Sequence, residues 1–160
     1  MTTDTPAKPA YLGLLNALYI GESRAGVYLK AWADVCSDVE LQRAIALVAA
    51  RESTHGEVFR QRIERLGFSV REKEDPDGPE RLRVYGDPAI SDAEKIRYGR
   101  GETQTEDRPD PLASIEARVD DSMDQLTRVT MAWYIAEERD TVELLKGAYT
   151  DALARAGESG

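Results

Sequence analysis

One cysteine, one histidine, two phenylalanines and no long apolar run set the first limits on this 160-residue chain. A lone cysteine, Cys36, excludes an intrachain disulfide, a rubredoxin-type four-cysteine site and a zinc finger. No apolar stretch approaches the roughly 20 residues that a bilayer demands, and the first ten residues are polar, without the basic-then-apolar pattern of a secretory leader. A soluble, cytoplasmic protein with no membrane partner is expected. Positive charge is scarce too: 21 Lys and Arg stand against 30 Asp and Glu, a formal net charge of -9. That sign is wrong for gripping phosphates, so nucleic acid is not an expected partner. With thiols and further imidazoles missing, any bound metal has to be held by carboxylates and His55.

What is present is helical pattern. The 41% apolar content and the length suit one domain with one core, over residues 1–160. Apolar residues recur at steps of three and four from Tyr11 to Asp34, and again from Leu41 to Leu66, where Gly67 supplies a stop. These spacings predict a first long helix over about 11–35 and a second over about 38–66. The short Cys36-Ser37-Asp38 turn folds the two antiparallel. Five of the seven prolines fall between Gly67 and Pro111, in a charged, weakly apolar stretch. We read residues 67–123 as an irregular crossover holding short helices, one near Ser91–Tyr98, opened by a Ser91-Asp92-Ala93-Glu94 capping box, and one near Leu112–Val119. A third long helix is predicted over about 124–156. No fourth helix of that length follows in this sequence.

Each long helix carries an acid on its apolar stripe. The first runs Leu15, Leu18, Glu22, Gly26, Leu29, Trp32; the second Ile45, Val48, Glu52, His55, Phe59, Ile63; the third Leu126, Thr130, Trp133, Glu137, Leu144. Glu22 lies fifteen residues before Ser37 in the turn and Glu52 fifteen after it. At 1.5 Å per residue both sit about 22 Å from the turn, at one level. His55 follows Glu52 by three residues on the same face, close enough for both to hold one ion. Buried carboxylates cost several kcal/mol each unless paired or bound to a cation, and no equal set of inward Lys or Arg is present. Oxygen-rich ligation with one imidazole suits iron or manganese.

On these residues the chain resembles the ferritin-like superfamily, nearest its rubrerythrin-like branch. There a four-helix bundle supplies one Glu from each of two helices and a Glu-x-x-His from each of the other two. Glu22 and Glu52-Ser53-Thr54-His55 match that pattern. Tyr134-Ile135-Ala136-Glu137-Glu138-Arg139 echoes Tyr19-Ile20-Gly21-Glu22-Ser23-Arg24, which gives Glu137 the role of Glu22. The resemblance implies an all-α, antiparallel ferritin-like bundle binding iron or manganese, mono- or dinuclear, through Glu22, Glu52, His55 and Glu137, with Asp140 or Glu138 as supplements. It further implies ferroxidase, peroxidase or oxygenase chemistry, served by a separate electron donor because the rubredoxin cysteines are missing. A second Glu-x-x-His is lacking, so completion of the bundle, and of a site shared between chains, by a homodimer is expected. The rival expectation is a non-catalytic helical dimerisation module that has lost its metal. Tyr19 and Tyr134, one turn before their glutamates, are placed to bond those carboxylates. Trp32, Trp133 and Phe59 read as packing, and Arg24 and Arg139 as surface ion pairs.

Overall fold

Aspartates open two of the three long helices. In the computed structural model, which describes residues 7–103 and 110–157, Asp38 accepts a hydrogen bond from the Leu41 amide at 2.9 Å and Asp124 accepts one from the Thr127 amide at 3.1 Å. These caps satisfy amide groups that the first helical turn leaves unpaired. The helices are α1 (Leu12–Ala33), α2 (Val39–Arg65), α3 (Gly78–Gly86), α4 (Asp92–Thr103), α5 (Pro111–Glu116) and α6 (Gln125–Arg155). The architecture is all-helical, with no strand among the described residues. The three long helices match the predicted ones to within two residues at each end.

The α1–α2 hairpin forms the body of the fold, and α6 lies antiparallel to α2. Three ion pairs fix that register: Arg62 with Asp124 at 2.7 Å, Arg51 with Asp140 at 2.6 Å, and Arg155 with Asp38 at 2.6 Å. After α2, Gly67 adopts φ 85°, a left-handed conformation that costs glycine little and ends the helix. The chain then runs beside α1 as an extended strap, in the same direction as α1. Asn16 bonds both the backbone N–H and the carbonyl of Arg71, Tyr19 donates to Glu72, Arg24 to the Lys73 carbonyl, and Tyr28 to Asp75. Successive turns of α1 thus hold successive strap residues.

The crossover is more helical than the sequence implies. Near Ser91 the expected capping box forms, with the Ser91 amide and hydroxyl donating to Glu94, but the helix it starts runs twelve residues. α3 was not foreseen, although Pro79 near its start is a usual helix-opening residue. Its Tyr85 stacks on Trp32 with ring centroids 5.5 Å apart. In the connection, Asp92 of α4 accepts from the Trp32 indole at 2.8 Å and from Ser37 at the α1–α2 turn.

Two apolar clusters fill the interior. One gathers Leu15, Leu18, Phe59, Ile63, Met131 and Tyr134; the other gathers Tyr28, Trp32, Leu41, Ile45, Ile96 and Leu153. Along α1 and α2, the turns holding Glu22, Glu52 and His55 fall between them, and all three side chains are buried. No helix among the described residues is long and apolar enough to cross a membrane.

One expectation needs correction. The predicted inward stripe of the third long helix, Leu126, Thr130, Trp133 and Glu137, is not the buried one. Thr127, Met131, Tyr134 and Thr141 are buried on α6, while Leu126 is 48% exposed. The two stripes share the same spacing and differ by one residue, a rotation of about 100°. Packing decides between them: Met131 and Ile135 enter the cluster with Leu15 and Phe59, which Leu126 does not join.

Candidate metal centre

α1 and α2 approach closely because glycines face serines across the hairpin. A Cβ added to Gly26 would collide with Ser53 Oγ and lie 3.1 Å from the Ser53 amide nitrogen; one added to Gly56 would collide with Ser23 Oγ and lie 3.2 Å from the Ser23 amide nitrogen. The crossing of these two pairs brings Glu22 against Glu52 and His55. α6 then adds Tyr134 and two adjacent acids, Glu137 and Glu138.

Four side chains converge. One ligand atom each from Glu22, Glu52, His55 and Glu138 all lie within 4.8 Å of one another, a group that could hold a metal ion. His55 Nδ1 is 3.4 Å from Glu22 Oε2 and 3.3 Å from Glu138 Oε1. On the other edge of the ring, His55 Nε2 is 2.9 Å from Glu137 Oε2. Tyr134 donates to Glu22 Oε1 at 2.8 Å. Trp133 and Tyr134 stand edge-to-face against the imidazole, with centroids 5.0 and 5.1 Å away. Glu138 Oε1 is buried, and no donor other than the His55 ring reaches it.

The sequence-derived residues are therefore distributed as follows. Glu22, Glu52 and His55 meet. Glu137 touches the histidine from the opposite edge and is not one of the four converging groups. Asp140 is paired with Arg51, its side chain 67% exposed, and does not point into the group. Glu138 takes the place that the spacing gave to Glu137. Its only signal in the sequence was adjacency: either stripe of α6 delivers an acid at this level, and the rotation selects which. The tyrosines also divide. Neither bonds the glutamate one turn after it: Tyr134 donates to Glu22 rather than Glu137, and Tyr19 donates to Glu72 of the strap. Arg24 contacts Asp75, and Arg139 pairs with Glu116 at 2.5 Å, both away from the cluster.

Burial and crowding shift the titrations in opposite directions. Burial, followed by the neighbouring Glu22, pushes the Glu52 carboxyl up to about 10. Burial also works against ionised Glu22, but hydrogen bonds from His55, Glu52 and Tyr134 outweigh it and hold Glu22 below its ordinary value. For His55, burial alone would favour the neutral ring; the carboxylates of Glu138, Glu22 and Glu137 outweigh that and raise it to about 10. Burial and Glu22 raise the Tyr134 phenol, so it stays a donor. At neutral pH the cluster thus carries a proton on Glu52, shared toward Glu22, and a protonated imidazole.

The donor set fits a divalent cation. Oxygen and nitrogen donors at about 2.1 Å from one ion stand roughly 3.0–4.2 Å apart, so atoms already within 4.8 Å would close on it by shifts of up to about an ångström. The second mark of fit is the buried Glu138 oxygen, which has the His55 ring as its sole polar partner.

Comparison of the chain with protein-family models, with curated proteins and with solved structures finds no match.

Proposed function

We propose that the chain is a ferritin-like metal protein that binds iron, or manganese, through Glu22, Glu52, His55 and Glu138, and serves an oxidation that uses oxygen or peroxide. The observation that carries the reading is the convergence of three buried or largely buried glutamates on one histidine edge, with Glu138 Oε1 lacking any other partner. Three carboxylates and one imidazole favour iron or manganese over copper(I) or structural zinc, which take more sulfur or nitrogen.

When bound, such an ion supplies Lewis acidity and one-electron chemistry toward oxygen or peroxide. The chain's own groups hold and orient. Glu137 accepts the Nε2 proton of His55, which would fix the tautomer once Nδ1 gives up its own proton and turn that nitrogen's lone pair toward Glu22 and Glu138. Tyr134 holds Glu22 through Oε1 and leaves Oε2 turned to the histidine. Trp133, Tyr134 and Phe59 pack around the imidazole side and keep bulk water from it. Glu137, 38% exposed, marks the edge by which a small oxidant reaches the centre. The reaction would draw electrons from a separate donor, and the centre would work in the cytoplasm. A second copy of the chain would complete the bundle against the exposed apolar residues of α1 and α6, among them Val27, Val129 and Val142.

Metal analysis of protein purified from iron-supplemented cells tests the reading. We expect iron at about one equivalent per chain, lost on replacing His55 or Glu52 by Ala. Folded protein that takes up no iron or manganese would sink the proposal in favour of a helical interaction module without metal. Retained metal in both variants would remove these residues as ligands.

A further inference from the structure

We propose that the groove between α1 and the strap is a binding site for an amphiphilic organic acid, with an acid head and an elongated apolar body. The groove is independent of the metal centre: none of the four converging residues lines it. It consists of two cavities, of about 320 and 200 Å³, that share Ala17 and Lys73 as walls. The first is close to the usual lower size for a small-molecule pocket, and together they make a longer trough.

Charge argues for an anion. In a chain of net charge -9, five of the 21 Lys and Arg line this one trough. Arg24, Lys73 and Arg81 stand at the larger cavity, and Lys8, Arg71 and Lys73 at the smaller. Among the described residues, no Asp or Glu lines either cavity. Two nearby acids of the strap are engaged, Glu72 by Tyr19 and Asp75 by Tyr28, with Asp75 also 3.5 Å from Arg24 Nε. Arg81 lies over the Tyr28 ring, 5.8 Å from its centroid, so its planar cation borders the larger cavity.

Shape argues for an apolar body. The floor is the outer face of α1, where the small residues Gly13, Ala17, Gly21 and Ala25 follow one another at every fourth position, backed by Ile20 and Leu12. Gly13 and Gly21 are exposed, and a side chain begun at either would meet nothing within 4 Å, so the floor is open to an occupant from solvent. Twelve residues of helix give a floor roughly 18 Å long, enough for a medium-length acyl chain lying along α1. The acid head falls at the larger cavity, which Arg24, Lys73 and Arg81 line, and guanidinium suits the planar carboxylate.

The test uses octanoate as probe, with 1-octanol as its neutral counterpart and inorganic phosphate as a bare anion, read by amide chemical shifts of the ¹⁵N-labelled full chain. Octanoate should shift the Gly13, Gly21 and Ala25 amides saturably, octanol should bind at least about tenfold more weakly, and phosphate should not displace octanoate. Lys73→Met combined with Arg81→Met should weaken octanoate by about tenfold or more. Gly21→Leu should abolish binding by filling the floor while raising the melting temperature, because leucine is the better helix former and meets no clash. Equal binding of octanol, full displacement by phosphate, or unchanged octanoate affinity in either variant would overturn the proposal.

Discussion

His55 Nε2 and Glu137 Oε2 stand 2.9 Å apart, while the other ring nitrogen of His55 faces the adjacent acid, Glu138. Two consecutive residues of α6 thus take opposite edges of one imidazole. On the proposed reading Glu137 would orient the ring and Glu138 would ligate, and the two should respond differently to the same isosteric change. Glu138→Gln should lower metal affinity by about 100-fold or more, and Glu137→Gln by about tenfold, as for loss of a group that only orients a ligand. Competition against a chelator of known affinity measures both. Equal losses would mean that Glu137 is itself a ligand.

Asp140 provides the contrast. Its exposed pair with Arg51 is of the kind that contributes about 0–1 kcal/mol. Asp140→Ala should leave metal content unchanged and shift the melting temperature little. A variant that comes out of purification without metal would place Asp140 back among the ligands.

The protons of the cluster fix the pH dependence of the metal-depleted protein. Glu52 binds its proton up to about pH 10 in the folded chain but only to its ordinary 4.5 when unfolded. His55 shows the same sign, about 10 against 6.5. Between the members of each pair the folded state holds more protons, so stability declines as pH rises through that window. Glu22, held low, has the opposite sign: its contribution is present above 4.5 and fades as pH falls. Urea unfolding of chelator-treated protein should therefore show a falling midpoint from pH 7 to pH 9. Glu52→Gln should flatten the slope and raise the midpoint at pH 9.

Metal uptake should mirror this. Ligation needs Glu52 ionised and Nδ1 of His55 free, so each ion entering at neutral pH should release about two protons, and affinity should climb with pH. Calorimetry in buffers of different ionisation enthalpy counts them. Uptake without proton release would contradict the protonated cluster.

Gly56 tests the geometry of the hairpin. Gly56→Ala drives a methyl into Ser23 and should cost about 1–3 kcal/mol, the usual range for overpacking. It should also weaken metal binding, because the residue next to His55 is displaced. Gly147→Ala, in α6 with open space around it, should do neither. Thermal melts and metal content of the two variants, side by side, give the answer.

Much of the scaffold was legible in the sequence. The α1–α2 hairpin followed from its apolar period and short turn, and the level placement of Glu22 and Glu52 followed from counting residues, because a helix converts number into height. What could not be read was rotation. On α6 two stripes of equal spacing, each with an aromatic residue and a glutamate, compete, and only the packing of Met131 and Ile135 against α1 and α2 resolves them. The strap was unreadable for another reason: Asn16, Tyr19, Arg24 and Tyr28 bind it partly through backbone groups and isolated polar pairs, which leave no periodic trace. α3 carries too few apolar residues to register, and the stack of Tyr85 on Trp32 is among the contacts that anchor it.

The crowding of buried acids around His55 has a bearing on the life of the protein in a cell. On the proposed reading, a chain without its cation would keep these crowded acids as a standing penalty, whereas a loaded chain would be relieved of it and gain the binding free energy besides. Unloaded copies would open more often and be the ones that proteases reach first. The same arrangement that equips the centre for chemistry would then also sort finished molecules from unfinished ones.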